Sequence, residues 1–235
     1  MNESELSRKH LSNKTAMITQ LAVGGLDNNF SYFINDGVGK EIAVVDPAGD
    51  MDDMLAEIHA NKFQPIMVLL THSHYDHAEG VEALIQKYKI PVYMHMNARG
   101  RVEVPEEHGR YVSDGDTIIV EKLAIEVLYT PGHIDDSVCY FISAKQEADG
   151  IPKLITGDTL FVEGCGRADL QHSSVKDLYN SLERLKKMPD ETLVYPGHNY
   201  GSKPVSDIAF EKKHNKYFLC KNFEEFKAKR MSRLT

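Results

Sequence analysis

Three histidines and an aspartate crowd the stretch "LLTHSHYDHAEG", where His72, His74, Asp76 and His77 follow directly on an apolar run. Imidazole nitrogens and a carboxylate are costly to gather unless something binds them, and together they suit zinc, iron or manganese. His72 and His74 stand two apart, so both can turn towards one ion. Asp76 and His77 come next and would face a neighbouring position.

The same arrangement recurs along the chain. "YTPGHID" places His133 just after a strand, "LITGDTLF" does so for Asp158, and "LVYPGHNYG" for His198. Each is an apolar strand followed by a short loop with a metal-type ligand, and loops on a rigid scaffold are where sites are built. Seven such ligands exceed the four of a closed zinc site. The surplus points to two ions sharing a carboxylate, with Asp158 as the bridge. A lone histidine is more often a surface or satisfied core residue, and His10, His59, His95, His108, His172 and His214 are assigned to that class.

The elements that must position these groups are legible. "TAMITQLAV", "FSYFIND" and "EIAVVDPAG" read as strands, rich in β-branched and aromatic residues. "DMDDMLAEIHANK" has acidic residues at its start and Met51, Met54, Leu55 and Ile58 on helical spacing. "PIMVLLT" is wholly apolar, as expected of a strand covered on both faces; helix "VEALIQKYK" and strand "PVYMH" complete a strand–helix–strand unit. The middle is strand-rich again: "RYVSDGDTIIV" with a Gly turn, "KLAIEVLYT", "SVCYFIS" and "PKLIT". "VKDLYNSLERLKKM" is an amphipathic helix with Leu178, Leu182 and Leu185 on one face. "ETLVYPGHNYG" is a last strand, and the remainder reads as helix. Two mixed halves with helices outside fit one α/β sandwich: helix layer, two sheets, helix layer. Residues 1–235 are read as a single domain with a short helical tail from about 203 to 235.

Composition narrows the partners. In 235 residues, 42% are apolar, enough for a sizeable core, and the formal charge is −8, which disfavours nucleic acid. The tail "KNFEEFKAKR" mixes signs like a solvated helix face. "MNESELSRKHLSNK" has no apolar stretch and predicts neither a secretion signal nor a membrane span. Cys139, Cys165 and Cys220 are few, odd in number and widely spaced, which fits a reducing compartment, so the cytoplasm is the expected setting. Oligomeric state is not encoded in any feature of the sequence.

"THSHYDH", "TPGH", "GDTLF" and "YPGHNYG", in this order, resemble the signature of the metallo-β-lactamase fold, over the chain from about Leu21 to about Phe218. The resemblance implies a four-layer αββα sandwich with a metal site at the edge between the sheets. It implies one ion held by His72, His74 and His133, a second by Asp76, His77 and His198, and Asp158 bridging; zinc is the expected metal, with iron or manganese also compatible.

Within that superfamily the chain looks most like the glyoxalase II group, through "TGDTLFVEGCGR", "YPGHNYG", "DNNFSYFI" and "VVDPAG". Diiron flavoprotein oxidases usually carry Glu where His74 stands, nucleases of the fold add insertions and basic surface, and class B β-lactamases usually lack the histidine at position 77. The resemblance implies hydrolysis of an acyl thioester, from glutathione or from a carrier-bound acyl chain as in relatives that trim polyketide intermediates. Two metals would bring a bound water near neutral pKa and give hydroxide as nucleophile, with Asp76 as the catalytic residue that orients it. Cys165, Arg167, Tyr200 and Lys203 are the expected substrate contacts, with Cys165 equally readable as a small buried residue, Cys139 as core and Asp46 as a brace of its turn. Ala168 and Asp169 stand where glyoxalase II proteins carry aromatics, and the C-terminal helical segment is shorter, which puts glutathione specificity in question. The alternative is a mononuclear iron persulfide dioxygenase acting on glutathione persulfide, with His72, His133 and Asp158 as a facial triad; "GCGRADLQ" resembles that group. A third reading, a metal-binding scaffold without activity, is disfavoured by the intact ligand set.

Overall fold

Strand alternation builds two sheets whose faces are apolar on both sides. The computed structural model describes residues 17–24, 27–49, 51–146 and 150–232; His10 and most of the N-terminal segment lie outside them. The first sheet joins β1 (Met17–Gly24), β2 (Asn29–Asn35), β3 (Glu41–Val45), β4 (Gln64–Leu69), β5 (Val92–His95) and β6 (Gly109–Val112) in that order. β1, β2 and β3 run antiparallel, while β3 to β6 are parallel neighbours. The parallel part needs crossovers, supplied by α1 (Met51–Asn61) and α3 (Val81–Tyr88). The second sheet holds β7 (Thr117–Val120), β8 (Leu123–Tyr129), β9 (Val138–Ile142), β10 (Lys153–Gly157), β11 (Leu193–Pro196) and β12 (Ser206–Asp207). Its one parallel pair, β10 with β11, is crossed by α4 (Val175–Leu185).

Three apolar clusters mark the layers. Tyr32, Ile34, Val45 and Leu69 of the first sheet meet Ile125, Val127, Tyr140 and Ile155 of the second in the central seam. Phe33, Val44 and Val68 point the other way and take Met54 and Ile58 of α1 and Leu84 of α3. Leu128, Leu154 and Val194 take Leu178, Leu182 and Leu185 of α4. Adjacent Tyr32, Phe33 and Ile34 thus divide between two layers with the period of two that a strand imposes. The result is the expected αββα sandwich.

One local reading holds and one changes. The Gly turn of "RYVSDGDTIIV" is present, with Gly115 at φ 80°, and it joins β6, an edge of the first sheet, to β7, an edge of the second. The segment beyond β11 is not wholly helical. Ser206 and Asp207 pair with β11 before α5 (Ile208–His214), where Asp207 caps the helix by accepting from Phe210 N–H, and α6 (Phe223–Met231) follows. No helix among the described residues is long and apolar enough to cross a membrane.

Candidate metal centre

Four strands deliver the candidate ligands to one rim. β4 runs through Leu70 and Thr71 into His72, while β8, β10 and β11 lead into His133, Asp158 and His198. The opening motif is not all loop. Tyr75–Ala78 forms one helical turn, α2, which carries Asp76 and His77. All seven side chains converge, from positions up to 126 residues apart, as the strand-end pattern predicts.

The seven divide into two groups with distinct nitrogens turned inward. In the first, His74 Nδ1 lies 3.1 Å from His72 Nε2 and 2.9 Å from His133 Nε2, and Asp158 Oδ2 is 3.4 Å from His133 Nε2. In the second, His77 Nε2 and His198 Nε2 are 3.2 Å apart, each 3.6 Å from Asp76 Oδ2, and 3.4 and 3.2 Å from Asp158 Oδ1. A tetrahedral ion with bonds of about 2.0–2.1 Å spaces its ligands about 3.3–3.4 Å apart. The second group brackets that spacing at 3.2–3.6 Å, and the first is tighter at 2.9–3.4 Å.

Outer hydrogen bonds decide which nitrogen is free to bind. Thr71 Oγ1 donates its proton to Asp46 Oδ2 (2.6 Å), so it accepts from His72 Nδ1 at 3.0 Å. His133 Nδ1 donates to the Arg167 carbonyl and His198 Nδ1 to the Asp27 carbonyl, both at 2.9 Å. His77 Nδ1 donates to Asp46 Oδ2 at 3.0 Å. Carboxylates and carbonyls behind histidines fix ring tautomer and orientation in this way at metal sites.

Electrostatics favour a cation at the focus. Burial holds His72 well below the ordinary imidazole value and lowers His133; burial and the neighbouring His133 take His74 to about 4. These three rings are neutral at pH 7. His74 Nδ1 can donate at most one proton to the two acceptor nitrogens beside it, so at least one of these close contacts is not a hydrogen bond. A positive ion relieves all of them at once. Among the described residues Asp158 Oδ1 is buried and receives no hydrogen bond of good geometry, although His77 Nε2 and His198 Nε2 lie 3.4 and 3.2 Å away, as expected of an oxygen aimed at a metal. Burial would raise the Asp158 carboxyl, but His77 and His198 hold it well below the carboxylate range. Burial opposes charge on His77 too, yet Asp158 and Asp46 push it well above 6.5, and Asp158 raises His198 likewise. Backbone must also pass close: a Cβ on Gly197 would overlap Asp158 Oδ1 and come within 2.9 Å of the His77 ring.

A third group, Asp46, His72 and His77, is equally compact. Its carboxylate oxygens are already engaged by Thr71 N–H (2.7 Å), Thr71 Oγ1 and His77 Nδ1. Asp46 is therefore a brace behind the centre; the brace read from the sequence extends beyond its own turn. Asn29 went unnoticed there: its Nδ2 donates to Asp76 Oδ2 (3.0 Å) and to the Asp76 carbonyl (3.1 Å). Asp136 did as well, and accepts from Ser73 N–H at 3.2 Å. "DNNF" and "GHIDDS" contain these residues, but no spacing rule ties them to ligands so far along the chain.

The centre opens into a cavity of about 760 Å³. Arg167, Tyr200 and Cys165 line it with Phe161, Lys216 and Arg230. Arg167 is paired with Asp169 at 2.7 and 2.8 Å. The Tyr200 ring stacks on His198 with centroids 4.8 Å apart, and burial with nearby acids lifts its phenol to about 12. Cys165 is buried in the wall, where desolvation pushes its thiol to about 12. Lys203 is not brought in: its ammonium sits 3.5 Å over the Phe210 ring, outside the residues that line the cavity. His95 stacks on Tyr129, His108 faces the Ile90 carbonyl and His214 stacks on Phe210. None of these, nor His59 or His172, enters either group.

The family model described as the metallo-beta-lactamase superfamily matches residues 24–198, the span that contains every one of the seven candidate ligands. The chain belongs to this superfamily. It is similar to the "Probable polyketide biosynthesis zinc-dependent hydrolase BaeB" of Bacillus velezensis, 34% identical over 200 residues that cover 85% of each protein. The crystal structure of ETHE1 from Myxococcus xanthus superposes with a TM-score of 0.77 at 34% identity, covering 89% of this chain and 88% of that one. TTHA1623 in a di-iron-bound form superposes with a TM-score of 0.69 at 27% identity, covering 86% and 99%. A metallo-beta-lactamase fold with zinc-dependent hydrolase relatives and converging His/Asp clusters marks the chain as a metal-binding protein of a hydrolase family.

Proposed function

We propose that this protein is a glyoxalase II-like hydrolase of acyl thioesters working with two divalent ions, zinc by preference. His72, His74 and His133 would hold one, Asp76, His77 and His198 the other, with Asp158 shared. The division of the Asp158 oxygens, Oδ2 beside His133 and Oδ1 beside His77 and His198, carries this reading. When bound, the ions supply a water of near-neutral pKa and a Lewis acid for the thioester carbonyl.

The chain's own groups then have separable roles. Asp76, half-buried at the cavity, orients the attacking water while Asn29 Nδ2 keeps its carboxylate in place. Arg167 and Tyr200 hold the thiol carrier at the wall, and Cys165 contributes a neutral apolar surface. Lys203, turned onto Phe210, has no part in the reading. The polyketide-biosynthesis name of BaeB supports a carrier-bound acyl group over glutathione as the substrate. We also infer one domain over residues 1–235 with a short tail from about 203, a cytoplasmic setting and no nucleic-acid or membrane partner.

Metal content of protein purified without added metal, with two assays on the same sample, tests the proposal. About two ions per chain, thiol release from acyl thioesters and no oxygen uptake with glutathione persulfide is the expected outcome. His72, His133 and Asp158 alone could hold one iron with open positions, which is the second reading. About one iron per chain with rapid oxygen uptake would replace the first reading by persulfide dioxygenation.

A further inference from the structure

His72 and His74 come from the first sheet and His133 from the second, so their convergence depends on how the two loops are tied. Ser73 lies between two of the candidate ligands, and the direction of its peptide sets where both imidazoles emerge. Its N–H donates to Oδ1 of Asp136, a fully buried carboxylate three residues beyond His133. Oδ2 of the same carboxylate accepts from Arg101 Nη1 at 3.0 Å. Arg101 stands on a third segment, just after the 3₁₀ turn Met96–Ala98 that follows β5. Its guanidinium also grips the Asp135 carboxylate, with Nη2 to Oδ2 at 3.1 Å. The Asp135 carbonyl in turn accepts from Asn97 Nδ2 and from Tyr129 Oη, both at 2.8 Å.

We propose that Arg101, acting through Asp136, is a positioning residue for the His72–His74–His133 group. Asp136 is sealed from bulk solvent, and Arg101 is the cation that faces it among the described residues. Without that cation the carboxylate is a buried uncompensated charge, which is relieved by turning outward to solvent. That movement releases the Ser73 amide and lets the His72–His74 loop drift from His133. The second group is anchored elsewhere, by Asp46 behind His77, the Asp27 carbonyl behind His198 and Asn29 behind Asp76. Loss of Arg101 therefore loosens one group and spares the other.

The test is chelator competition on the reconstituted protein, read as metal per chain and as the absorption of the cobalt-substituted form. Outer partners of metal ligands contribute about 10–100-fold in affinity. Arg101→Met should release the ion at His72, His74 and His133 that much more readily while the other is retained, so that a fixed chelator step leaves one ion where the wild type keeps two. Arg101→Lys restores charge without the fork and should fall between. The double variant Arg101→Met with Asp136→Asn removes the buried charge as well, and should hold metal better than Arg101→Met alone. Wild-type metal retention in Arg101→Met, equal loss of both ions, or losses that simply add in the double variant would overturn the proposal. If Arg101→Met does not fold, the same comparison runs between Arg101→Lys and wild type. This division of ions rests on the two-ion reading. A wild-type chain that carries a single ion refutes that reading by itself, and Arg101 is then judged on the chelator resistance of that ion.

Discussion

His77 Nδ1 meets Asp46 Oδ2 at 3.0 Å, both side chains sealed from water. The same Asp46 oxygen accepts from Thr71 Oγ1, which in turn faces His72 Nδ1, so one carboxylate stands behind a candidate ligand of each group. Asp46→Ala would strand the Thr71 amide, the Thr71 hydroxyl and the His77 Nδ1–H in a dry site. A loss of about 3–5 kcal/mol in unfolding free energy is expected, with metal affinity down about 10–100-fold. Denaturant titration and chelator competition measure the two separately; wild-type values in both would remove Asp46 from the centre.

Asp158→Ala should abolish activity and lower metal content, because each oxygen of this carboxylate belongs to a different group. Elemental analysis beside an activity assay checks this. A variant with full metal and full turnover would end the bridging assignment.

Stability given by metal should grow with pH. His77 sits well above 6.5 in the metal-free chain, so at neutral pH it carries a proton that an ion at Nε2 must displace. Its raised value stabilises the metal-free fold fully below 6.5, and that contribution fades as pH rises through the raised value. Metal competes against it in the same window, at about 1.4 kcal/mol per pH unit for each proton displaced. The difference in Tm between metal-loaded and chelator-treated protein is therefore expected to widen from pH 6 to pH 8. A constant difference would contradict the assignment of a proton to His77.

Cys165 should be inert although it lines the cavity. With its thiol at about 12, it holds about a thousandfold less thiolate at pH 8 than a thiol near 9. Alkylation of the native protein, followed by mass spectrometry, should leave it unmodified on the timescale that labels a free thiol. Rapid native labelling would show a reactive cysteine and reopen a chemical part for it.

The centre was largely legible in the sequence because its ligands announce themselves by local covalent spacing. His72, His74, Asp76 and His77 share one strand end, and His133, Asp158 and His198 each follow an apolar run of strand length. Composition and period also marked "FSYFIND" as a strand and set Leu178, Leu182 and Leu185 on one face of a helix, since these periods are properties of the backbone itself. The order of motifs was enough to indicate the superfamily and its layers.

What only the tertiary structure decided is every relation that depends on how the sandwich closes. Which imidazole nitrogen faces inward follows from partners such as Asp46, Asp27 and the Arg167 carbonyl, brought in from 31 residues away for Asp46–His77 and 171 for Asp27–His198. The same closure put β6 and β7 on different sheets, turned Lys203 onto Phe210 and buried Cys165 in the cavity wall. A linear pattern records periodicity and near neighbours. Burial, tautomer and the pairing of Arg101 with Asp136 arise only when two sheets meet and exclude solvent, which sets the local dielectric and leaves each polar group the partners it must use.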